Sequence, residues 1–260
     1  MNVKPTTRIV FLMYHELEVP GRRLCQAEPG YVRYVVTASD FCNQMRFLKD
    51  RSWRGFTVSE AIDFPAQPGV AITFDDGCET DLSVAAPLLK DASFRATFYV
   101  TASFLGKKGY LSTTQLQELS ALGFEIGCHS LTHAYLTDLD QSALCREVVE
   151  AKSRLEQIMG RAVEHFSCPG GRCDRRVAAL AAAAGYKSVA TSRIHATSKT
   201  SNKFELGRVP VMRSISLAAF DRICRAQGLW QLNARANLRN AARRVMGNNV
   251  YDRFREVVLR

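Results

Sequence analysis

Two adjacent carboxylates, Asp75 and Asp76, stand at the end of an apolar run that predicts a buried strand, Val70-Ala-Ile-Thr-Phe-Asp-Asp-Gly77. Neighbouring negative charges are costly to bury unless a cation shares them. Further along the chain, His129 and His133 follow a second short apolar run and offer two imidazoles four positions apart. One carboxylate with two imidazoles is a suitable ligand set for a catalytic divalent metal that keeps positions open for water and substrate.

The chemistry that these residues predict is metal-assisted hydrolysis. Asp76, His129 and His133 are taken as the ligands. An ion held there would polarise a carbonyl group and lower the pKa of a bound water. Asp75 is then left as the general base, and His15, which follows another apolar run, is the candidate acid for the leaving amine. A backbone N–H from a nearby turn would stabilise the oxyanion.

Short apolar runs alternate with helical patterns along most of the chain. Such repeats favour mostly parallel strands, in an open sheet or a barrel. In a barrel the carboxyl ends of the strands meet at one rim, so His15, the two aspartates and His129 are expected to converge. The predicted strands are 8–14, 70–74, 96–100, 124–128, 165–167 and 187–191, and the predicted helices are 41–49, 81–91, 112–122, 142–159 and 174–184.

The composition is that of a globular protein, with 260 residues, 47% hydrophobic and 23% charged. No apolar run approaches the roughly 18 to 20 residues that cross a bilayer. The amino-terminal apolar stretch is short and has no small-residue cleavage site, and the eight cysteines lack paired spacing. We therefore expect a cytoplasmic protein with reduced thiols.

The carboxyl-terminal part differs in composition, and we divide the chain into a barrel over 1–215 and a basic helical extension over 216–260. The net charge is +10, and Arg222–Arg260 contains nine arginines and no lysine, opposed only by Asp252 and Glu256. One interpretation is a helix packed on the barrel with a solvated basic face. Another is peripheral contact with an anionic membrane or a lipid-phosphate sugar carrier. Nucleic acid is disfavoured, since no binding motif is recognised.

The segments Thr73-Phe-Asp-Asp-Gly77 and His129-Ser-Leu-Thr-His133 resemble the first two motifs of the NodB-homology polysaccharide deacetylases, carbohydrate esterase family 4. The resemblance covers roughly residues 8 to 213. It implies a distorted β/α barrel of about seven strands, with Asp75 as base. It also implies that Asp76, His129 and His133 bind a divalent metal, Zn²⁺ first and Co²⁺, Ni²⁺ or Mn²⁺ as alternatives.

Two further segments refine this resemblance. Leu12-Met-Tyr-His15 and Leu206-Gly-Arg-Val-Pro-Val211 resemble a subgroup with an amino-terminal Tyr-His motif, which implies His15 as the acid. The third family motif, Arg-x-Pro-Tyr/Phe-Gly, reads Ser167-Cys-Pro-Gly-Gly171 in this chain. Gly170 is expected to supply the oxyanion N–H. The arginine that orients the base is replaced by Ser167, and Arg172 is the nearest candidate for that task and for substrate contact.

The expected function is removal of an N-acetyl group from an amino sugar in a glycan, glycolipid or nucleotide-sugar intermediate, by a metal-dependent hydrolase. Alternatives are hydrolysis of another N-acyl group such as formyl, and a non-catalytic carbohydrate-binding relative. The substrate is expected to be lipid- or nucleotide-linked. The predicted location is the cytoplasm, with peripheral contact at the inner membrane face through the basic helices.

Overall fold

The computed structural model describes residues 8–234 of the chain. Its strands are β1 (Arg8–Ile9), β2 (Phe11–Tyr14), β3 (Leu17–Glu18), β4 (Val36–Thr37), β5 (Arg54–Phe56), β6 (Gly69–Phe74), β7 (Thr97–Val100), β8 (Glu125–Cys128), β9 (His165–Ser167), β10 (Ser188–Ala190), β11 (Thr197–Ser198) and β12 (Arg208–Pro210). Its helices are α1 (Pro29–Val32), α2 (Ala38–Lys49), α3 (Val58–Ile62), α4 (Ala86–Asp91), α5 (Thr113–Ala121), α6 (Gln141–Cys145), α7 (Ala151–Met159), α8 (Arg175–Ala183) and α9 (Leu217–Cys224).

Seven parallel strands form the central sheet, in the order β12-β2-β6-β7-β8-β9-β10. The two ends of this sheet meet through Leu206, whose N–H donates to the Val189 carbonyl at 2.9 Å and whose carbonyl accepts from Thr191 N–H at 2.8 Å. Strand β5 pairs with the amino-terminal half of β6. The sheet is therefore a nearly closed parallel barrel surrounded by helices, which confirms the predicted fold class.

The barrel strands separate an interior from an outer layer because successive side chains of a strand point to opposite faces. In β6, Val70, Ile72 and Phe74 belong to the large core that lies under the helices. Ala71 belongs to a second, smaller core with Phe11, Tyr99 and Leu206 inside the ring. The same alternation places Asp75 on the interior side of its strand end.

The helix ends follow local sequence rules. Ser112 caps α5, with its hydroxyl accepting from Gln115 N–H at 3.1 Å. The predicted helices 81–91 and 142–159 are each present with one π turn, at Asp81–Ala85 and Arg146–Glu150. The short elements β5, α3 and β12 were not predicted, since three to five residues carry too little periodicity to identify a strand or helix.

The amino end of the barrel is closed by a buried polar cluster. His165 contacts Ser59 Oγ at 2.7 Å and Ser188 Oγ at 2.8 Å, and its Nε2 lies 3.5 Å from Glu125 Oε1. Thr97 donates a hydrogen bond to the same carboxylate. Burial raises the pKa of Glu125, but the neighbouring His165 outweighs it and brings the pKa to about 2. This cluster is structural and lies at the end of the barrel opposite Asp75.

The first helix of the predicted extension packs on the barrel's outer layer. Phe220 of α9 is fully buried, with its ring centroid 6.3 Å from that of Phe47 in α2, and Ile223 joins the main core. The predicted arginine-rich helical stripes beyond residue 234 lie outside the described residues. Among the described residues, no helix is both long enough and apolar enough to cross a bilayer.

Candidate active site

The predicted site residues gather at the carboxyl ends of the barrel strands. Asp75 and Asp76 directly follow β6, His129 follows β8 and His15 follows β2. Since these strands are parallel neighbours in one ring, their carboxyl ends share a rim. The structure thus brings together residues that are far apart in sequence, as the strand pattern predicted.

Three side chains form a possible metal-binding set. Asp76 Oδ1 lies 3.5 Å from His129 Nε2 and 3.3 Å from His133 Nε2, and this oxygen is buried without a hydrogen-bond partner. Ligand atoms that share one Zn²⁺ at about 2.0 to 2.2 Å are themselves roughly 3 to 3.5 Å apart. The spacing and the donor types therefore fit a divalent ion.

The tautomer of His129 also suits a ligand. Its Nδ1 lies 2.8 Å from the carbonyl oxygen of Ser167, and a carbonyl can only accept, so Nδ1 carries the proton. The Nε2 lone pair then faces Asp76. Burial lowers the pKa of His129 to about 4, against the opposing pull of the Asp75 carboxylate. The imidazole is consequently neutral at neutral pH, the form in which histidine binds metals.

Three residues of the site segments have strained backbone conformations. Asp76 has φ 82°, Ser130 has φ 66° and His133 has φ 67°, all in the left-handed region. Such conformations cost of order 1–3 kcal/mol each and persist where the surroundings enforce them. They aim side chains that a regular strand or helix would direct elsewhere, and they are typical of functional sites.

The loop between the two histidines is held by the buried carboxylate of Glu147. Glu147 Oε2 accepts from Leu131 N–H at 3.0 Å and from Thr132 N–H at 2.9 Å. Ser130 Oγ accepts from His133 N–H at 3.0 Å. The His-x-x-x-His pair therefore converges through a fixed loop and not along one face of a helix.

A buried ion pair holds Asp75. Arg208 of β12 donates from Nη1 and Nη2 to the two carboxylate oxygens of Asp75, at 2.7 Å each. Arg208 Nη2 also lies 2.7 Å from Ser167 Oγ, and both charged side chains are almost fully buried. Burial raises the pKa of Asp75, but the guanidinium and then His129 outweigh it and hold the pKa well below its usual range. Asp75 is thus ionised at neutral pH, as a general base requires.

Arg208 corrects the expectation that Arg172 orients the base. Arg172 stacks on the ring of Tyr135 at 3.6 Å and lies 3.6 Å from a carboxylate oxygen of Asp138. The guanidinium that the third motif lacks comes instead from β12. Sequence reasoning missed Arg208, although an arginine inside the short apolar segment Leu206–Val211 was a usable signal, because a buried arginine needs an anionic partner.

The remaining predicted residues also lie near this rim. His15 is next to Asp75, since its neighbour Tyr14 pairs with Phe74, and its ring centroid lies 5.2 Å from that of Tyr34. His15 Nδ1 is buried without a hydrogen-bond partner. Gly170, with φ 61°, is in the turn that follows β9. Their roles as acid and oxyanion donor stay predictions.

Residues 65–189 match the family model described as polysaccharide deacetylase. The chain is therefore similar to the polysaccharide deacetylases over this segment, which is just under half of its length. The chain is 27% identical over 226 residues to YxkH of Bacillus subtilis (strain 168), a candidate polysaccharide deacetylase, and the alignment covers 85% of this chain and 77% of that relative. It is 31% identical over 121 residues to the peptidoglycan-N-acetylglucosamine deacetylase of Bacillus cereus, which covers 46% of this chain and 54% of that one.

Solved structures show the same fold as this chain. The Streptococcus pyogenes deacetylase PplD, solved in complex with acetate, superposes with a TM-score of 0.74 at 22% identity over 84% of this chain and 98% of that one. IcaB from Ammonifex degensii superposes with a TM-score of 0.68 at 23% identity over 85% and 98%. Both extend over the barrel, which supports the β/α architecture.

Proposed function

We propose that this protein is a metal-dependent hydrolase that removes an N-acetyl group from an amino sugar of a glycan, glycolipid or nucleotide sugar. The observation that carries the proposal is the pairing of an ionised Asp75, held by Arg208, with the adjacent set of Asp76, His129 and His133. A protein that only binds carbohydrate would not need a buried carboxylate that stays ionised, because burying a charge is energetically unfavourable. Similarity to the deacetylase family over residues 65–189 supports the reaction type.

Each residue then has a defined task. Asp76, His129 and His133 would hold a divalent ion, most simply Zn²⁺, which supplies a water of lowered pKa and polarises the acetyl carbonyl. Asp75 takes the proton from the attacking water, since its oxygens keep lone pairs beyond those used by Arg208. His15 donates a proton to the leaving nitrogen as the C–N bond breaks, giving acetate and a free amine.

Positive charge near the site supports a substrate that carries an anionic group. Three aromatic rings lie against candidate site residues, and each has a cation over it. The groups are Arg33 over Tyr34 beside His15, Lys107 over Phe104 beside His133, and Arg172 over Tyr135 beside Gly170. Phosphate is the natural partner for such cations, so a lipid- or nucleotide-linked sugar phosphate is favoured over a neutral polymer.

The test is acetate release from nucleotide-linked and lipid-linked N-acetylhexosamines, after chelation and after adding back Zn²⁺, Co²⁺, Ni²⁺ or Mn²⁺. Asp75→Asn is expected to abolish release while retaining the metal, and His133→Ala to lose both. The matched control is Asp50→Asn, which removes an exposed carboxylate at the end of α2. Unchanged release by Asp75→Asn would refute the mechanism. Release of formate from the N-formyl analogues without release of acetate from the N-acetyl sugars, or sugar binding without turnover, would favour the alternatives.

The basic segment that begins at Arg222 supports a further part of the proposal, that the protein works at the cytoplasmic face of a membrane. Its nine arginines would be attracted to anionic lipid headgroups. The full chain is expected to sediment with vesicles that contain phosphatidylserine and to be released by salt. Equal sedimentation with purely zwitterionic vesicles would contradict this.

A further inference from the structure

Two cysteines lie in contact close to the candidate active site. Cys25 is in the segment that follows β3, and Cys78 is in the turn that carries Asp76. Their sulfur atoms are 3.7 Å apart, although the residues are separated by 53 positions in the chain. A disulfide bond is about 2.05 Å long, so a small approach of the two side chains would permit it.

The local structure holds Cys25 in this position. Its N–H donates to Glu16 Oε2 at 2.9 Å, and its Sγ lies 3.1 Å from the carbonyl oxygen of Gly109. A Cβ at Gly109 would come within 3.0 Å of that sulfur, so the glycine leaves the room that the thiol occupies. Cys25 is partly exposed, which gives an oxidant access to it.

Cys78 is fully buried and is held from both sides. It forms an antiparallel bridge with Tyr110, and its sulfur lies 3.6 Å from the hydroxyl of Tyr31. That hydroxyl also donates to Glu16 at 2.9 Å, so the same buried carboxylate positions the surroundings of both sulfurs. Cys78 is thereby protected from solvent and reachable mainly through its neighbour Cys25.

The same cluster could be considered as a second metal site, because ligand atoms of Glu16, Cys25 and Cys78 lie within 4.8 Å of one another. The guanidinium of Arg22 already occupies the position that a metal cation would take. Arg22 forms an ion pair with Glu16, donates to Glu79 at 2.6 Å and comes within 4.0 Å of Cys25 Sγ. A guanidinium beside a thiol stabilises the thiolate, which is the reactive form. Arg22 also neutralises the charge of the Glu16 carboxylate.

We propose that Cys25 and Cys78 are a redox-active pair that closes into a reversible disulfide when peroxide oxidises Cys25. The Cys25 thiolate attacks one peroxide oxygen, the O–O bond breaks, and the departing hydroxide takes up a proton to become water. Cys78 then attacks the sulfur of the resulting sulfenic acid, and the S–O bond breaks. The second hydroxide leaves with the Cys78 proton. Two thiols are oxidised by two electrons, and one peroxide is reduced to two waters.

The cross-link would fix the segment after β3 to the turn that holds Asp76. The experiment uses the full chain, reduced, desalted and treated with one equivalent of hydrogen peroxide, then alkylated and digested with trypsin without reductant. Mass spectrometry is expected to find peptide 24–33 joined to peptide 55–90, and dithiothreitol to separate them. Because the cross-link constrains the unfolded chain, the melting temperature of the oxidised protein should also rise.

Three variants make the test specific. Cys25→Ser, at a partly exposed position, should abolish both the joined peptide and the rise in melting temperature, and Cys78→Ser should do the same. Cys145→Ser, which removes an exposed thiol, should change neither. Oxidation of Cys25 to sulfinic acid with Cys78 still reduced would overturn the proposal. So would an equivalent of zinc bound by the reduced wild type and lost in Cys25→Ser. Neither readout depends on deacetylase activity.

Discussion

Replacing Arg208 by methionine would leave the Asp75 carboxylate buried without its cation. Both side chains are at most 3% exposed, and both carboxylate oxygens bond to the guanidinium at 2.7 Å. Breaking one side of such a pair costs about 3–5 kcal/mol of folding stability. Asp75 can avoid part of that cost by binding a proton, because burial then dominates and raises its pKa.

The stability effect is measured by urea unfolding of the metal-free protein at pH 7, with Arg208→Met, Asp75→Asn and the double variant. Arg208→Met should lose about 3–5 kcal/mol. The double variant should regain much of this loss, because a neutral amide replaces the unpaired carboxylate at position 75. The coupling energy between Arg208 and Asp75 should be roughly 2–3 kcal/mol. Arg46→Met, at an exposed position on α2, is the control and should unfold like the wild type.

The catalytic effect is measured by acetate release across pH. A base with a raised pKa is protonated at pH 7, so kcat should fall by about 10²–10⁴ and recover in part as the pH rises. The acid limb of the profile should therefore move to higher pH in Arg208→Met. An unchanged denaturant midpoint together with an unchanged acid limb would refute the assignment of Arg208 as the residue that keeps Asp75 charged.

Three more outcomes are expected. Because the folded pKa of Glu125 is about 2 against 4.5, its carboxylate stabilises the fold above pH 4.5, and this contribution is lost as pH falls towards 2. Glu125→Gln should thus be less stable at pH 7 by up to about 3 kcal/mol, and circular dichroism should show the difference vanish near pH 2; a constant difference would contradict this. Gly127→Ala places a Cβ 2.6 Å from Tyr99 Cε1 inside the barrel and should cost about 1–3 kcal/mol in thermal unfolding, whereas an unchanged melting temperature would show that the ring moves freely. Arg208→Ser combined with Ser167→Arg returns a guanidinium to the third motif and should release more acetate than Arg208→Ser alone; no recovery would mean that only β12 can present it.

Local sequence rules predicted much of the fold and part of the site. The strand that ends at Phe74 follows from the apolar run Val70–Phe74 before two aspartates, and the start of α5 follows from Ser112, a residue type that caps helices. The convergence of Asp76 and His129 follows from the rule that parallel strands share a carboxyl-terminal rim. The strand and the helix start need only the neighbours of each residue in the chain, whereas the convergence also needs the general rule about parallel strands.

The partner of the base could not be predicted in this way. Arg208 is 133 positions from Asp75, in a strand of three residues whose sequence carries no periodic signal. The two meet because β12 pairs with β2, β2 pairs with β6, and Leu206 closes the ring onto β10. The sequence by itself determined which residues could bind a metal and move a proton. Only the tertiary structure decided which buried cation keeps Asp75 ionised, because that depends on distances across a closed barrel and not along the chain.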